Sequence, residues 1–231
     1  MCGPGDGKDG LRRGVRLQWV RGSVRSSALP SFLQQLVEWD GLAVEAGQAL
    51  RWQPLTVLFI LVSAWWVKWP LLVAVGACGD ARCRRTLPPA VLSGLLAVGA
   101  AAAVTSVLKE LFDRVRPAIA DPGIEALAPT PDSASFPSGH AATAFAAAIA
   151  VGAFYPRLRW PLLGLAALVG LSRIYLGVHY VLDVLAGATL GLALGLLMVW
   201  ATRHLLGWLG RPDMSRPKVG TSFAQSRRSR E

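Results

Sequence analysis

The chain has 231 residues, 53% of them hydrophobic and only 16% charged, and a formal net charge of +10; its mean hydropathy is +0.42. That length fits one domain, and that composition lies outside the range of soluble proteins, so the class indicated is an integral membrane protein. The excess charge is confined to the two ends: residues 1–27 carry six Lys/Arg against two acids, and residues 203–231 carry seven against two, together nine of the ten net charges. Basic flanks on a hydrophobic body suit cytoplasmic retention and anionic headgroups. No aromatic-basic patch or groove-reading motif accompanies them, which argues against nucleic acid as a partner.

Residues 1–27 are rich in Gly, Ser and Arg and lack apolar periodicity, and 211–231 read the same way; both are expected to be basic, disordered tails around a membrane domain at 28–210. No segment near Met1 has the basic start, short apolar core and cleavage site of a signal peptide, so insertion is expected to come from the spans themselves. Cys2, Cys78 and Cys83 are too few and too badly spaced for a disulfide framework or a four-ligand zinc site and read as small fillers. Cys2 lies too near the start to follow an export segment, which argues against lipid modification there.

From Ser31 to Trp52, Phe32, Leu33, Leu36, Val37, Leu42 and Leu50 alternate with Glu38, Asp40 and Glu45, a pattern that predicts an amphipathic helix at the interface or leading into a span. Apolar runs follow at about 55–78, 88–108, 141–155, 161–178 and 184–202, each to be weighed against the roughly 20 residues a helix needs to cross. Hydropathy alone therefore counts five spans, although Lys68 and Pro70 interrupt the first run and allow it to be two helices. The fold expected is an all-α, polytopic helical bundle. Loop charges favour six spans: Arg82, Arg84 and Arg85, the turn with Arg157 and Arg159 and the C-terminal tail share one side, whereas 113–139 holds four acids against two arginines on the other. The positive-inside rule makes the first side cytoplasmic, with both termini there if six helices cross. Gly187, Gly191 and Gly195, four apart, predict close packing against a neighbouring helix inside the fold rather than a dimer motif.

Three segments place ionisable residues at the margins of these runs, where they are costly without a function. Lys109 and Arg116, seven apart before Pro117, are expected on one face of a helix that the proline stops. They either snorkel to water or hold a phosphate, Arg116 as a planar fork and Lys109 as a point charge. In Pro137-Ser138-Gly139-His140, Ser138 is a candidate N-cap and Gly139 allows close backbone approach, so exposed amides could attract an anion; the alternative is an ordinary cap beside an incidental histidine. His140 could act as a general acid once a bound phosphate dianion offsets the helix start, which by itself lowers its pKa. His179 and Asp183, four apart, let a carboxylate fix one ring nitrogen and leave the other to attack; a purely structural pair is the alternative. Arg173 adds a third cation at the same margin. His204, at the other end of the last run, reads as an interfacial residue outside this set.

In order and spacing, Lys-six residues-Arg-Pro (Lys109 to Pro117), Pro-Ser-Gly-His (Pro137 to His140) and Ser-Arg-five residues-His-three residues-Asp (Ser172 to Asp183) resemble the signature of the type 2 phosphatidic acid phosphatase superfamily, over roughly 109–195. The resemblance implies His179 as a nucleophile that forms a phosphohistidine, Asp183 as its orienting partner and His140 as the acid on the leaving oxygen. Lys109, Arg116, Ser138, Gly139 and Arg173 match positions that hold the phosphoryl oxygens. No cofactor or metal is implied, and no carboxylate or His/Cys cluster stands at ligand spacing. The function expected is hydrolysis of a lipid phosphate or pyrophosphate, of the phosphatidic acid, phosphatidylglycerol phosphate or undecaprenyl pyrophosphate type, on the extracytoplasmic face. The same site could pass the phosphoryl group to a lipid or sugar hydroxyl; a silent lipid-binding or lipid-moving protein is disfavoured because every reactive position is filled. A soluble vanadate-dependent peroxidase on a related site is disfavoured by the apolar runs.

Overall fold

A computed structural model describes residues 31–64 and 89–209, apart from the side chains at 33, 34, 208 and 209. Both basic tails, the three cysteines, the break at Lys68 and Pro70 and the arginines at 82, 84 and 85 lie outside the described residues. Those described are all-helical, with no strand: α1 (Ser31–Ala49), α2 (Gln53–Ser63), α3 (Pro89–Phe112), the single turn α4 (Pro117–Ala120), α5 (Gly139–Gly152), α6 (Pro156–Tyr175) and α7 (Val181–Leu209). Of these, α3 and α7 belong to segments long and apolar enough to cross a membrane, and α2 and α5 are shorter apolar helices.

The centre of the bundle is α5, whose Ala-Ala-Thr-Ala-Phe-Ala-Ala-Ala sequence leaves almost nothing projecting from the backbone. Ala141, Ala142, Ala144, Ala146, Ala147, Ala148 and Ala150 are all buried. On one side Ala142, Ala146 and Ala150 meet Ala97 and Ala101 of α3 and Val199 of α7; on the other Ala144 and Ala148 meet Ala166 and Val169 of α6. Large apolar residues point the opposite way: Leu95, Leu171, Leu185, Leu196 and Trp200 are all more than half exposed. Small residues inside and large ones outside is the pattern for helices that gain by close packing rather than by escape from water.

The glycine stripe of α7 completes that seam, as its spacing predicts. A Cβ on Gly187 or Gly191 would overlap the carbonyl oxygens of Ser138 and Ala142, and one on Gly195 would lie 2.9 Å from that of Ala146. Each glycine thus admits a carbonyl one turn further along α5. Lost side-chain contact is exchanged for direct backbone approach.

Pairings fix the direction of each helix. The turn after α1 is tied to the 113–138 loop: Arg51 donates to the Glu125 carbonyl at 2.5 Å, and Gln48 accepts from the Glu125 N–H at 3.1 Å. Descending from there, α2 sets Phe59 against Tyr175 at 4.8 Å between ring centroids and Val62 among Leu162 and Leu163, so it runs antiparallel to α6. At the opposite end Arg203 donates to the Ala153 carbonyl at 3.1 Å and sits over the Phe154 ring.

The outward face of α1 differs from the amphipathic expectation. Trp39 is 71% and Leu42 57% exposed, while the acidic Asp40 is 3% exposed. Trp39 and Leu42 stand outside with Glu38 and Glu45, whereas Asp40 faces in beside the fully buried Val44, because it finds partners in the interior.

Candidate active site

The helix carrying Lys109 does not reach Arg116. α3 stops at Phe112; Asp113 takes a left-handed φ of 43°, and its N–H closes the last turn on the Lys109 carbonyl at 3.0 Å. The chain then turns, Arg116 is extended at the N-cap of α4, and Pro117 opens that turn from its first position rather than stopping a helix. The shared-helix expectation is therefore corrected, yet both cations still line one cavity of about 620 Å³. They arrive there by separate tethers. Lys109 Nζ donates to the Ala134 carbonyl, and Arg116 donates from Nε to the Ser133 carbonyl at 3.0 Å and from Nη1 to that of Val178 at 3.0 Å.

Arg173, Gly139, His140 and His179 line the same cavity. Six of the eight residues singled out in sequence are thus brought together on its wall; the other two, Ser138 and Asp183, lie just beneath it, fully buried. Ser138 is the N-cap of α5, accepting from the Ala141 N–H at 3.5 Å, while its own N–H donates to the Asp183 carbonyl at 2.9 Å. Arg173 is 5% exposed, and its Nε is buried without a hydrogen-bond partner. A buried guanidinium edge on a cavity wall is suited to an anion.

His179 and Asp183 meet without sharing a helix. His179 lies in the turn between α6 and α7, and Asp183 in the first turn of α7, where its Oδ2 accepts the Tyr180 N–H at 3.0 Å. That turn depends on Gly177 at a φ of +72°, where any Cβ would lie 2.7 Å from the Glu125 carbonyl. The result places His179 Nδ1 3.4 Å from Asp183 Oδ2 and 3.3 Å from Ser135 Oγ, with Nε2 on the opposite edge 3.3 Å from Arg116 Nη1. One ring nitrogen is held by a buried carboxylate, and the other faces the cations. Burial pushes the imidazole down to about 4; the Asp183 hydrogen bond and charge raise it in part, and Arg116 and Arg173 lower it. The ring is neutral at pH 7, the form with a lone pair to offer.

Three groups that the motifs do not single out complete the geometry. Ser135 Oγ donates to Asp183 Oδ2. Arg114 reaches Asp183 Oδ1 at 2.6 Å and Asp40 Oδ2 at 2.7 Å, and its guanidinium lies 4.0 Å over the Tyr180 ring. Asp40 carried the usable sequence signal, since an acid inside an apolar stretch asks for a partner. His204 stands apart, as expected, exposed near the far end of α7 against Trp200.

A family model described as the PAP2 superfamily matches residues 90–205, just over half of the chain and all eight of these residues. The chain belongs to the PAP2 superfamily. Within it, phosphatidylglycerophosphatase B of Bacillus subtilis is 39% identical over 141 residues, which cover 56% of this chain and 64% of that protein. Decaprenylphosphoryl-5-phosphoribose phosphatase of Mycobacterium tuberculosis is 36% identical over 136 residues, covering 57% and 70%. The chain thus spans a little under two thirds of the first of these PAP2 relatives. The crystal structure of a transmembrane PAP2 type phosphatidylglycerolphosphate phosphatase from Bacillus subtilis has a TM-score of 0.59 at 29% identity, covering 79% of this chain and 90% of that one. Apolar helices and a transmembrane neighbour together give this PAP2 chain the make-up of a membrane protein.

Proposed function

We propose that the chain is an integral membrane phosphatase that hydrolyses a lipid phosphate or pyrophosphate through a phosphohistidine on His179. The observation that carries this reading is the orientation of the His179 ring, its Nδ1 edge held by Asp183 and its Nε2 edge beside Arg116 on a cavity lined by Lys109, Arg116 and Arg173. Phosphoryl transfer asks chiefly for positioning and for neutralising charge on the equatorial oxygens. The three cations and the backbone at Gly139 supply that.

In the first step the Nε2 lone pair attacks phosphorus, the phosphorus–oxygen bond to the lipid breaks, and the leaving oxygen takes the proton of His140. The ring gains positive charge as Nε2–P forms, and Asp183 stabilises it through Nδ1–H. In the second step water attacks phosphorus, His140 takes the water proton, and the Nε2–P bond breaks to release phosphate. Both histidines return to their starting forms.

Among the described helices α2, α3, α5, α6 and α7 alternate in direction, the link through 65–88 lies outside the described residues, and six spans remain the proposal with α1 as the sixth. Exposed Arg157, Arg159 and Arg203 stand at the end of the bundle opposite the cavity. By the positive-inside rule that end is cytoplasmic, and the site faces the other compartment. A lipid tail then approaches sideways while its headgroup reaches the cavity.

The test is release of inorganic phosphate from phosphatidic acid, phosphatidylglycerol phosphate and undecaprenyl pyrophosphate by detergent-solubilised protein in the presence of a chelator. Activity is expected with chelator and absent in His179→Ala; activity kept in that variant, or abolished by the chelator, contradicts the reading. An added alcohol acceptor that diverts the phosphoryl group would identify a transferase.

A further inference from the structure

Asp183 orients His179, but it does not stand alone. Its Oδ1 is 2.6 Å from Arg114 Nη1, and the other arm of that guanidinium is 2.7 Å from Asp40 Oδ2. Asp40 Oδ1 in turn accepts the Leu182 N–H at 3.0 Å, which locks α1 to the first turn of α7. The side chains are 0%, 8% and 1% exposed for Asp183, Arg114 and Asp40. Buried charges interact strongly because water does not screen them.

The sum of charges decides what this trio does. Asp183 and Arg114 alone would cancel, leaving a neutral pair behind His179 and only cations before it. Around the ring stand Lys109 from α3, Arg116 from the loop after it, Arg173 from α6 and His140 from α5, with Tyr180 beside Asp183. Attack on phosphorus makes the ring positive, and those surroundings would oppose it. Asp40 restores one net negative charge, and the set of Asp40, Arg114, Asp183 and a cationic His179 is balanced only once the ring has charged.

Resting on the phosphatase reading above, we infer that Asp40 is a positioning residue for the His179 nucleophile, acting through Arg114 to keep Asp183 effectively negative when the histidine takes on charge. It comes from α1, outside the residues 90–205 that match the family. The first helix is thereby part of the chemistry rather than only part of the wall.

The inference is tested on the full chain in detergent by rapid-quench formation of phosphohistidine from radiolabelled short-chain phosphatidic acid, normalised to active sites, together with KM and the pH dependence of kcat/KM. Asp40→Asn keeps the shape and removes the charge. It is expected to slow phosphohistidine formation by about tenfold or more, to leave KM within about twofold, and to move the acid limb of kcat/KM to lower pH. A rate within about twofold of the native one, or a loss with an unmoved acid limb, overturns the inference. Asp40→Asn combined with Arg114→Gln removes one charge of each sign and returns the set to a net −1. That double variant is expected to form phosphohistidine faster than Asp40→Asn and to bring the acid limb back; a double variant slower than the single one would show a purely structural role. If Asp40→Asn fails to fold, the double variant decides alone, by whether its acid limb coincides with the native one. A native chain that forms no phosphohistidine defeats the phosphatase reading, whereas a native chain that forms it alongside an indifferent Asp40→Asn defeats only this inference.

Discussion

The two stretches of α7 meet α5 and its surroundings by opposite means. Along Gly187, Gly191 and Gly195 the contact is backbone on backbone, and what matters is that no side chain is present. At Asp183, in the first turn of the same helix, the carboxylate is fully buried and takes four side-chain or backbone donors, from His179, Ser135, Arg114 and the Tyr180 N–H. The seam fails by addition and the site by subtraction. A single 29-residue helix, about 43 Å long by its rise, is therefore a scaffold over most of its length and a reagent holder at its start.

The largest effect on the seam side is expected for Gly191→Leu, whose side chain would have to enter the Ala142 backbone. Overpacking costs typically 1–3 kcal/mol where side chains can move, and here the obstacle is a carbonyl, so folded yield and activity are expected to fall together. Gly99→Ala, with nothing within 4 Å of its Cβ, is the matched control and is expected to leave both unchanged. Equal folded yields for the two variants by size-exclusion chromatography would show that the seam does not require a bare backbone at Gly191.

On the site side, Asp183→Asn removes a buried charge from Arg114 and leaves a single acceptor oxygen where donors from Arg114, Ser135, His179 and the Tyr180 N–H approach both carboxylate oxygens. Breaking a buried ion pair costs about 3–5 kcal/mol, partly offset here because Asp40 still faces Arg114. Turnover is expected to drop far more than folded yield, the reverse of Gly191→Leu, and measuring both on one preparation checks the contrast.

A smaller effect follows from His179. Its folded value of about 4 lies below the ordinary 6.5, so between those values the unfolded chain binds the extra proton and the folded one does not. The contribution is present above about pH 6.5 and is lost as pH falls towards 4. Thermal unfolding in detergent at pH 7 and pH 5 is expected to show a larger drop in midpoint for the native chain than for His179→Gln; equal drops would exclude this source. The smallest effect is expected for Ser138→Ala. Loss of an N-cap costs about 0.5–2 kcal/mol, and the 3.5 Å bond to the Ala141 N–H puts this one at the low end.

The motifs made the cavity wall legible because reactive residue types are scarce in an apolar chain, so Lys109, Arg116, His140, Arg173 and His179 stood out against their surroundings. Spacing was a weaker guide than identity. Lys109 and Arg116 are two turns apart only if the helix continues, and Asp113 in a left-handed conformation ends it. His179 and Asp183 meet across a turn with the same separation that a helix would have provided. Asp40 was masked by being grouped with Glu38 and Glu45: on a helix it shares a face with Leu36, Val37 and Val44, the face that turns inward, while Glu38 and Glu45 stand outside with Trp39 and Leu42. Ser135 and Arg114 carry no signal of their own in a loop rich in polar residues, and only their distances to Asp183 reveal them. The glycine stripe was readable because its period and that of the α5 carbonyls are both one helical turn.

During turnover His179 is expected to become covalently phosphorylated on Nε2. The native protein is quenched during turnover of radiolabelled phosphatidic acid and the label is mapped by mass spectrometry. An acid-labile, alkali-stable label on the peptide containing His179, absent in His179→Ala and accumulating in His140→Ala with a good leaving group, is the predicted result. A label on any other residue, or turnover at full rate with no labelled protein at any time point, would show that His179 is not the nucleophile.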